Sequence, residues 1–193
     1  MGMNILLAGV GGQGVVLASK ILARCAGARG EPARTAETIG MAQRGGSVTS
    51  HVRIGEGAYS PLIPRGMADV IIGFEPAEAV RALDHLKPGG AVTVSDRGVY
   101  PSVGAEEYVP EKMLGFLRSH PLPGEVRVLR ADGVFEQTGS YRSLNLALLG
   151  AASEQLGVTT GEIEAAIREL LPERLAAVNI KALLLGAGTA ETA

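Results

Sequence analysis

The chain has 193 residues, of which 46% are hydrophobic, and this length suffices for one α/β domain with a buried core. Its 18 basic and 20 acidic residues are interspersed and give a formal net charge of -2, so neither a nucleic acid nor a membrane surface is expected as a partner. The single cysteine excludes an iron–sulfur cluster held by this chain alone, because such clusters need several cysteines at short spacings.

The start of the chain and its few reactive side chains predict a cytoplasmic protein without a metal site. Met1 to Asn4 run straight into an apolar strand with no basic leader, which predicts a cytoplasmic location. Cys25 lies in a segment of helical apolar spacing, where a buried thiol is favoured over the alternative of a reactive one. The histidines lack metal-ligand spacing, so we expect them to be structural or exposed, and no catalytic or metal-binding residue is predicted.

Short apolar runs alternate with helical patterns along the first two thirds of the chain, which predicts a parallel or mixed sheet with helices on its faces. The clearest unit is a strand from Met3 to Ala8, a tight glycine loop and a helix from Gln13 to Ala28. Residues 31–37 form a poor strand, whereas residues 47–54 predict a strand with one polar face near a sheet edge. Further strands are predicted over residues 70–74, 91–95 and 126–130, with a helix over 76–86 and a poorly periodic stretch over 96–123.

From Thr138 onward the spacing of the apolar residues becomes helical. Three stripes, separated by a break at residues 157–161 and another before Pro172, predict three helices. Neither break has the composition of an interdomain linker, so we predict a single domain over residues 1–193. The predicted fold class is α/β, a Rossmann-like parallel or mixed sheet with helices on both faces and a helical C-terminal region.

The first glycine cluster follows the first strand and stands at the mouth of the first helix. Gly9, Gly11 and Gly14 have the spacing G-x-G-x-x-G, in which glycines let a phosphate approach backbone N–H groups. Gly12 and Gln13 lie within it, and Gln13 places a polar amide where the helix begins at the carboxyl edge of the sheet. A dinucleotide site would also need an acidic residue at the end of the second strand. Tight packing of strand on helix explains the glycines equally well.

The second glycine cluster covers residues 40–47 and precedes a predicted strand. It carries Gln43 and Arg44, which are followed by Gly45, Gly46 and Ser47. The planar guanidinium of Arg44 can form two parallel hydrogen bonds, so it suits a carboxylate, a phosphate or an acidic side chain of a partner. A solvated loop arginine is the alternative interpretation.

Taken together, the two clusters resemble the gamma-type subunits of the 2-oxoacid:ferredoxin oxidoreductases, and most closely the beta subunits of the indolepyruvate ferredoxin oxidoreductases. The likeness extends over nearly the whole chain. It is carried by residues 8–14, 40–48, 50–53, 60–64, 68–70, 75–79 and 149–151, together with Asn145, Asn179 and Ala182.

The resemblance implies a subunit of an enzyme that is inert alone. Such enzymes decarboxylate a 2-oxoacid oxidatively to an acyl-CoA and pass electrons through iron–sulfur clusters to ferredoxin. It implies that a larger catalytic subunit carries thiamine diphosphate, magnesium and the clusters, that coenzyme A is the co-substrate, and that this chain completes the partner's active site. The Met-Ala-Gln-Arg sequence in the second cluster resembles that of the family members that act on arylpyruvates. The expected cofactor-binding residues are Gly9, Gly11, Gly12, Gln13, Gly14, Gln43, Arg44, Gly45, Gly46 and Ser47.

Two other functions remain open at this point. A free-standing nucleotide-binding module of the Rossmann type would use the first cluster alone and would not need the second. A pure assembly scaffold would tolerate substitution of Arg44 without loss of turnover.

Two placements in the fold are also predicted. The two clusters should share one rim of the sheet, because loops that follow parallel strands collect at its carboxyl edge. The strands at residues 3–8, 70–74 and 91–94 should be buried neighbours, since each is apolar on both faces.

Overall fold

The sheet at the centre of the molecule is mixed. In the computed structural model, which describes residues 2–39, 45–57, 59–100, 107–189 and 191–192, its strands follow the order β2, β3, β1, β4, β5, β6, β7. β1, β4, β5 and β6 run parallel, whereas β3 is antiparallel to both β1 and β2, and β7 is antiparallel to β6. The predicted α/β class is confirmed. The strands are β1 (Met3–Val10), β2 (Ala33–Ile39), β3 (Ser47–Ile54), β4 (Ala68–Gly73), β5 (Leu86–Ser95), β6 (Pro123–Leu129) and β7 (Glu191–Thr192).

The central strands are apolar on both sides because helices cover both faces of the sheet. β1, β4 and β5 are neighbours, as predicted, and the side chains of Ile71 and Val92 are 0% exposed. Along β1, Leu7 packs into one hydrophobic core and Leu6 into the other. This alternation is the two-residue period of a strand buried on both faces.

The helices divide unequally between the two faces. α2 and α3 contribute to the core on the Leu6 side, whereas the others contribute to the core on the Leu7 side. Two helices escape the sequence analysis, because α3 buries only three residues and α4 only two. None of the helices in the described ranges is long and apolar enough to cross a membrane. The helices are α1 (Val15–Ala28), α2 (Pro76–Ala82), α3 (Pro110–Ser119), α4 (Ala131–Thr138), α5 (Leu144–Ala152), α6 (Thr160–Leu170) and α7 (Glu173–Thr189).

The edge of the sheet beyond β1 is built from β2 and β3. β2, the poor strand of the sequence analysis, is the edge strand, and its described side chains are half-buried or exposed, which explains its weak apolar pattern. β3 lies next to it, as predicted. The prediction of one polar face for β3 is wrong at His51, which is buried and accepts a hydrogen bond from the N–H of Ile63 at 3.1 Å. This burial and hydrogen bond make His51 a structural histidine, and burial, together with the neighbouring His85, lowers its pKa.

The C-terminal region contains α5, α6 and α7, which confirms the three predicted helices. All nine residues of α5 are buried, because it lies between the sheet and α7. Gly150 of α5 and Gly186 of α7 let the two helices cross in direct backbone contact. A Cβ atom at Gly150 would overlap the carbonyl oxygen of Leu183, and one at Gly186 would overlap that of Ala147.

Candidate functional site

A crevice opens at the carboxyl edge of the sheet, where β1 and β4 end side by side. β1 leads into α1 on one face, and β4 leads into α2 on the other. Because the two connections part here, this is the point of an open α/β sheet at which ligands characteristically bind. Gly12 and Gln13 of the loop and Phe74 after β4 line the cavity that opens here.

Gln13 bridges this crevice with its side-chain amide. Its Oε1 accepts a hydrogen bond from the N–H of Val10 at 2.9 Å, and its Nε2 donates to the carbonyl oxygen of Phe74 at 3.0 Å. The backbone N–H of Gln13 also donates to the carbonyl of Val10, at 3.2 Å. Gln13 therefore braces the ends of β1 and β4 against each other, and its amide is engaged within the chain.

The two glycine clusters meet at one rim, as predicted. The N–H of Gly11 donates to the carbonyl of Gly46 at 2.9 Å, the N–H of Gly45 lies 3.5 Å from the carbonyl of Gly11, and Val10 is paired with Ser47. The second cluster follows β2, which runs in the same direction as β1 because both strands are antiparallel to β3 between them, so both clusters follow strands that end at this edge, as predicted. The second cluster reaches the rim because antiparallel pairing places the start of β3 beside the end of β1. Residues 40–44, with Gln43 and Arg44, lie outside the described residues.

Glycine is required at different positions of the first cluster for different structural reasons. A Cβ at Gly9 would lie 2.8 Å from Cβ of Phe74 and 2.9 Å from Cγ2 of Val15, so this glycine permits close packing of the loop on its neighbours. Gly14 has a φ of 80°, and a side chain at this position would clash with the amide of Asn145. Gly12 has a φ of 98°, but a Cβ there would meet open space. Packing thus explains Gly9 and Gly14, and Gly12 is the exposed tip of the loop.

The dinucleotide interpretation of this loop meets two obstacles. The amide of Gly11, which a phosphate would need, is already bonded to Gly46. In a dinucleotide site, the acidic residue that binds the ribose lies on the strand next to β1. Here β3 lies between β1 and β2, so Glu37, near the end of β2, is one strand further from the glycine loop than such an acid would be. The Glu37 carboxylate lies 3.4 Å from the hydroxyl of Ser19, on α1.

Two acidic residues beneath the rim were not singled out as site residues by sequence analysis. Glu75 is 2% exposed and caps α2 by accepting a hydrogen bond from the N–H of Glu78 at 2.9 Å. Glu78, which is 5% exposed, accepts one from the hydroxyl of Ser47 at 2.7 Å and pairs with Arg81. Tyr108 donates to Glu75, and burial together with this bond raises the pKa of its hydroxyl. The bond from Ser47 to Glu78 ties Ser47 to α2, and a contact between residues 31 positions apart leaves no local sequence signal.

Two cavities flank the tip of the loop. The valine cavity, of about 450 Å³, lies beside β3 and is lined by Val10, Gly11, Gly12, Gly14, Val15, Val16 and Val48. The arginine cavity, of about 430 Å³, lies toward β5 and the connection between α4 and α5. Its walls include Gly12, Arg97, Phe135, Tyr141, Arg142 and Asn145. Gly12 is common to both cavities.

The donor groups of the described residues do not fit a metal centre or an iron–sulfur cluster. No group of three or more histidine, cysteine, aspartate or glutamate side chains in the described ranges could hold a metal ion. Cys25 is 2% exposed, and burial raises the pKa of its thiol to about 11, with a smaller contribution from Glu162. The buried interpretation of Cys25 is therefore confirmed, and no reaction step is assigned to this thiol.

Substitution of Gln13 is expected to destabilise the protein, because its side chain bonds the ends of β1 and β4 to each other. Gln13→Ala leaves the N–H of Val10 without its partner and should lower the free energy of unfolding by about 1 to 3 kcal/mol. Gln13→Glu can still accept from Val10 but places a carboxylate oxygen against the carbonyl oxygen of Phe74, so a loss at least as large is expected. Urea unfolding curves measure both, with the exposed Gln137→Ala as the control. A loss for Gln13→Ala no larger than for the control would contradict the bracing role.

The sequence and the fold both have close counterparts among known proteins. A family model described as pyruvate ferredoxin/flavodoxin oxidoreductase matches residues 4–189. The indolepyruvate oxidoreductase subunit IorB of Archaeoglobus fulgidus is 40% identical over an alignment that covers 96% of this chain and 94% of that protein.

Two solved structures share the fold. The pyruvate oxidoreductase subunit PORC of Thermotoga maritima has a TM-score of 0.73 at 22% identity, with 100% of this chain and 98% of that chain covered. A 2-oxoglutarate:ferredoxin oxidoreductase from Magnetococcus marinus has a TM-score of 0.71 at 22% identity. The superposition covers 97% of this chain and 30% of that longer chain. With the match of the family model and of IorB, the resemblance drawn from the motifs is confirmed. The chain belongs to the pyruvate ferredoxin/flavodoxin oxidoreductase family.

Proposed function

We propose that this chain is the small, cluster-free subunit of a 2-oxoacid:ferredoxin oxidoreductase, and that its rim completes the active site of a larger catalytic subunit. The reaction is the oxidative decarboxylation of a 2-oxoacid, of the arylpyruvate class, to an acyl-CoA, with electrons delivered to ferredoxin. The likeness to IorB over nearly the full length of both chains supports the assignment to the indolepyruvate type.

The division of labour follows from the side chains that this chain offers. With one cysteine in the sequence, it supplies no cluster ligands of its own. Thiamine diphosphate, magnesium and the iron–sulfur clusters therefore belong to the partner subunit in this proposal, and coenzyme A enters as co-substrate. No bond-making step is assigned to a residue of this chain.

The observation that carries the proposal is the joining of the two glycine clusters. The bond between Gly11 and Gly46 and the tie between Ser47 and Glu78 hold the second cluster against the first at the crevice. A nucleotide-binding loop has no need of such a second wall, whereas a surface that completes another protein's site does. Arg44 directly precedes Gly45 in the sequence, and a guanidinium suits a substrate anion or an acidic residue of the partner.

The valine cavity offers a direct test of assembly through the rim. Val16 is half-buried in the first turn of α1 and lines this cavity, so Val16→Glu places a charge in the proposed interface. The fold should be kept, because a carboxylate in the first turn of a helix is favourable. Affinity for the large subunit, measured by biolayer interferometry, is expected to fall about tenfold or more.

The matched control is Leu184→Glu, since Leu184 is an exposed apolar residue of α7 and lines neither cavity. It should assemble like the unchanged chain. If Val16→Glu assembles as tightly as Leu184→Glu, the rim does not face the catalytic subunit.

The free-standing nucleotide-binding module makes a different prediction. It would bind NAD(H), NADP(H) or FAD more tightly than a mononucleotide, because the second half of a dinucleotide would lie on the glycine loop. Calorimetric titration of the purified chain distinguishes the two functions. Micromolar binding of any dinucleotide, with at least tenfold preference over AMP, would favour the module.

A further inference from the structure

Two glutamates at the start of α2 are buried, although only one of them is needed to begin the helix. Glu75 caps α2 by accepting from the N–H of Glu78. Burying a carboxylate costs free energy unless hydrogen-bond donors or a cation compensate for it. The cap explains the burial of Glu75, so the burial of Glu78 requires a reason of its own.

The carboxylate of Glu78 binds the last residue of the second glycine cluster. Its Oε2 accepts from the hydroxyl of Ser47 at 2.7 Å, and its Oε1 is paired with Arg81. Arg81 belongs to the same helix as Glu78. Within the described part of the chain, the bond from Ser47 is therefore what joins the Glu78 side chain to another element.

Residues 45–47, the described end of the second cluster, are fixed by hydrogen bonds from two sides. On the side of the first cluster, the carbonyl of Gly46 accepts from the N–H of Gly11 at 2.9 Å, and on the side of α2 Ser47 donates to Glu78. Packing contributes little, since a Cβ atom at Gly45 would meet open space. Glycine also restrains its own backbone less than other residues do. The position of this segment therefore depends on these few bonds.

Glu75 gives Glu78 a fixed base. Besides the N–H of Glu78, its carboxylate accepts from the N–H of Val99 at 3.4 Å and from the hydroxyl of Tyr108. The ring of Tyr108 packs on the segment after β5, where a Cβ at Gly98 would lie 2.8 Å from its Cε1. The start of α2 is thus bound to the segment that follows β5, and this leaves Glu78 in a defined place.

We propose that Glu78 is a positioning residue of the oxidoreductase, which through Ser47 holds the second glycine cluster in the place from which Arg44 acts. This role rests on the proposed function and deepens it. Glu78 is buried and takes no part in the chemistry, and its effect passes through Ser47 to Arg44, three residues earlier in the chain. A displacement of about 1 Å in a group that acts on the reaction can cost about a hundredfold in rate.

A double-mutant cycle in the reconstituted complex tests this role. Ser47→Ala removes the hydroxyl and is expected to lower kcat/KM about tenfold. In a chain that already carries Arg44→Ala, the same change should cost less than about twofold, because the residue that Ser47 positions is missing. Ser47→Thr keeps a hydroxyl and should restore most of the activity.

Ser119→Ala is the matched control for the loss of a hydroxyl. Ser119 is an exposed serine of α3, and its hydroxyl donates to the carbonyl of Phe116 in the same helix. Ser119→Ala should leave kcat/KM unchanged, both with and without Arg44.

Amide exchange measured by NMR tests the bond in the free chain, without any turnover. The amide of Gly11, which donates to Gly46, should exchange about tenfold faster in Ser47→Ala, whereas in Ser47→Thr it should not. The amide of Gly55, which donates to the carbonyl of Pro32 beyond the other end of β3, is the internal control and should exchange at the same rate in both variants.

Equal losses for Ser47→Ala with and without Arg44 would overturn the positioning role, because a bond that serves only the fold would cost the same in both backgrounds. Full activity of either single variant, or unchanged exchange of Gly11 in Ser47→Ala, would overturn it as well. Absence of turnover with the unchanged chain would contradict the proposed function itself, whereas turnover with equal losses contradicts the positioning role alone.

Discussion

Gly186→Ala is expected to lower the free energy of unfolding by about 3 kcal/mol and the midpoint of thermal unfolding by about 6 to 12 °C. The added methyl group would overlap the carbonyl oxygen of Ala147, which belongs to the backbone of α5 and cannot turn aside as a side chain could. The two helices must therefore move apart, and α5 is buried along its whole length. Scanning calorimetry measures the change.

Gly188→Ala is the matched control, because Gly188 lies two residues further along the same helix and a Cβ there would meet open space. It should leave the stability unchanged or raise it by up to about 1 kcal/mol, since alanine is the better helix former. Equal midpoints for the two variants would contradict the close crossing of α5 and α7. The crossing also bears on the site, because α5 carries Asn145 to the glycine loop.

Arg44→Ala is expected to reduce kcat/KM of the reconstituted oxidoreductase about tenfold to hundredfold. The loss of one charge-assisted contact to an anion or to an acidic partner residue costs about 1.5 to 3 kcal/mol. Arg44→Lys should recover only part of the activity, because a point charge cannot form the two parallel bonds of a guanidinium. Steady-state reduction of ferredoxin or a viologen dye measures the effect.

Arg34→Ala is the control for this prediction, since Arg34 is an exposed arginine of β2, near the start of the strand that leads toward the second cluster. It should keep the activity of the unchanged complex. Full activity of Arg44→Ala would point instead to an assembly scaffold.

Local patterns in the sequence are sufficient to predict the strands and helices whose buried residues form an unbroken run or stripe. The apolar run from Met3 to Ala8 predicts β1, because this strand is buried on both faces. The helical spacing of apolar residues predicts α1, because this helix is buried along one stripe. α3 and α4 carry too few buried residues to form such a stripe. β2 is exposed at the edge of the sheet, so its alternation is weak.

The candidate site depends on contacts that no local pattern records. The meeting of the two clusters is predicted from loops that follow strands of the same direction, β1 and β2, but the placement of the antiparallel β3 between these strands, where it pairs with both, has no local signal. The bond from Ser47 to Glu78 and the stack of Arg97 on Tyr141 join residues that are far apart in the chain. Their partners are set by tertiary packing, so only the three-dimensional structure shows them.

The proposal as a whole is tested most directly by reconstitution of the complex from purified subunits. This chain alone should show no 2-oxoacid-dependent reduction of ferredoxin or a viologen dye, because it supplies no cluster ligands. Mixed with the large subunit, it should restore reduction that depends on both an arylpyruvate and coenzyme A. Turnover by the isolated chain, or full activity of the large subunit without it, would contradict the assignment.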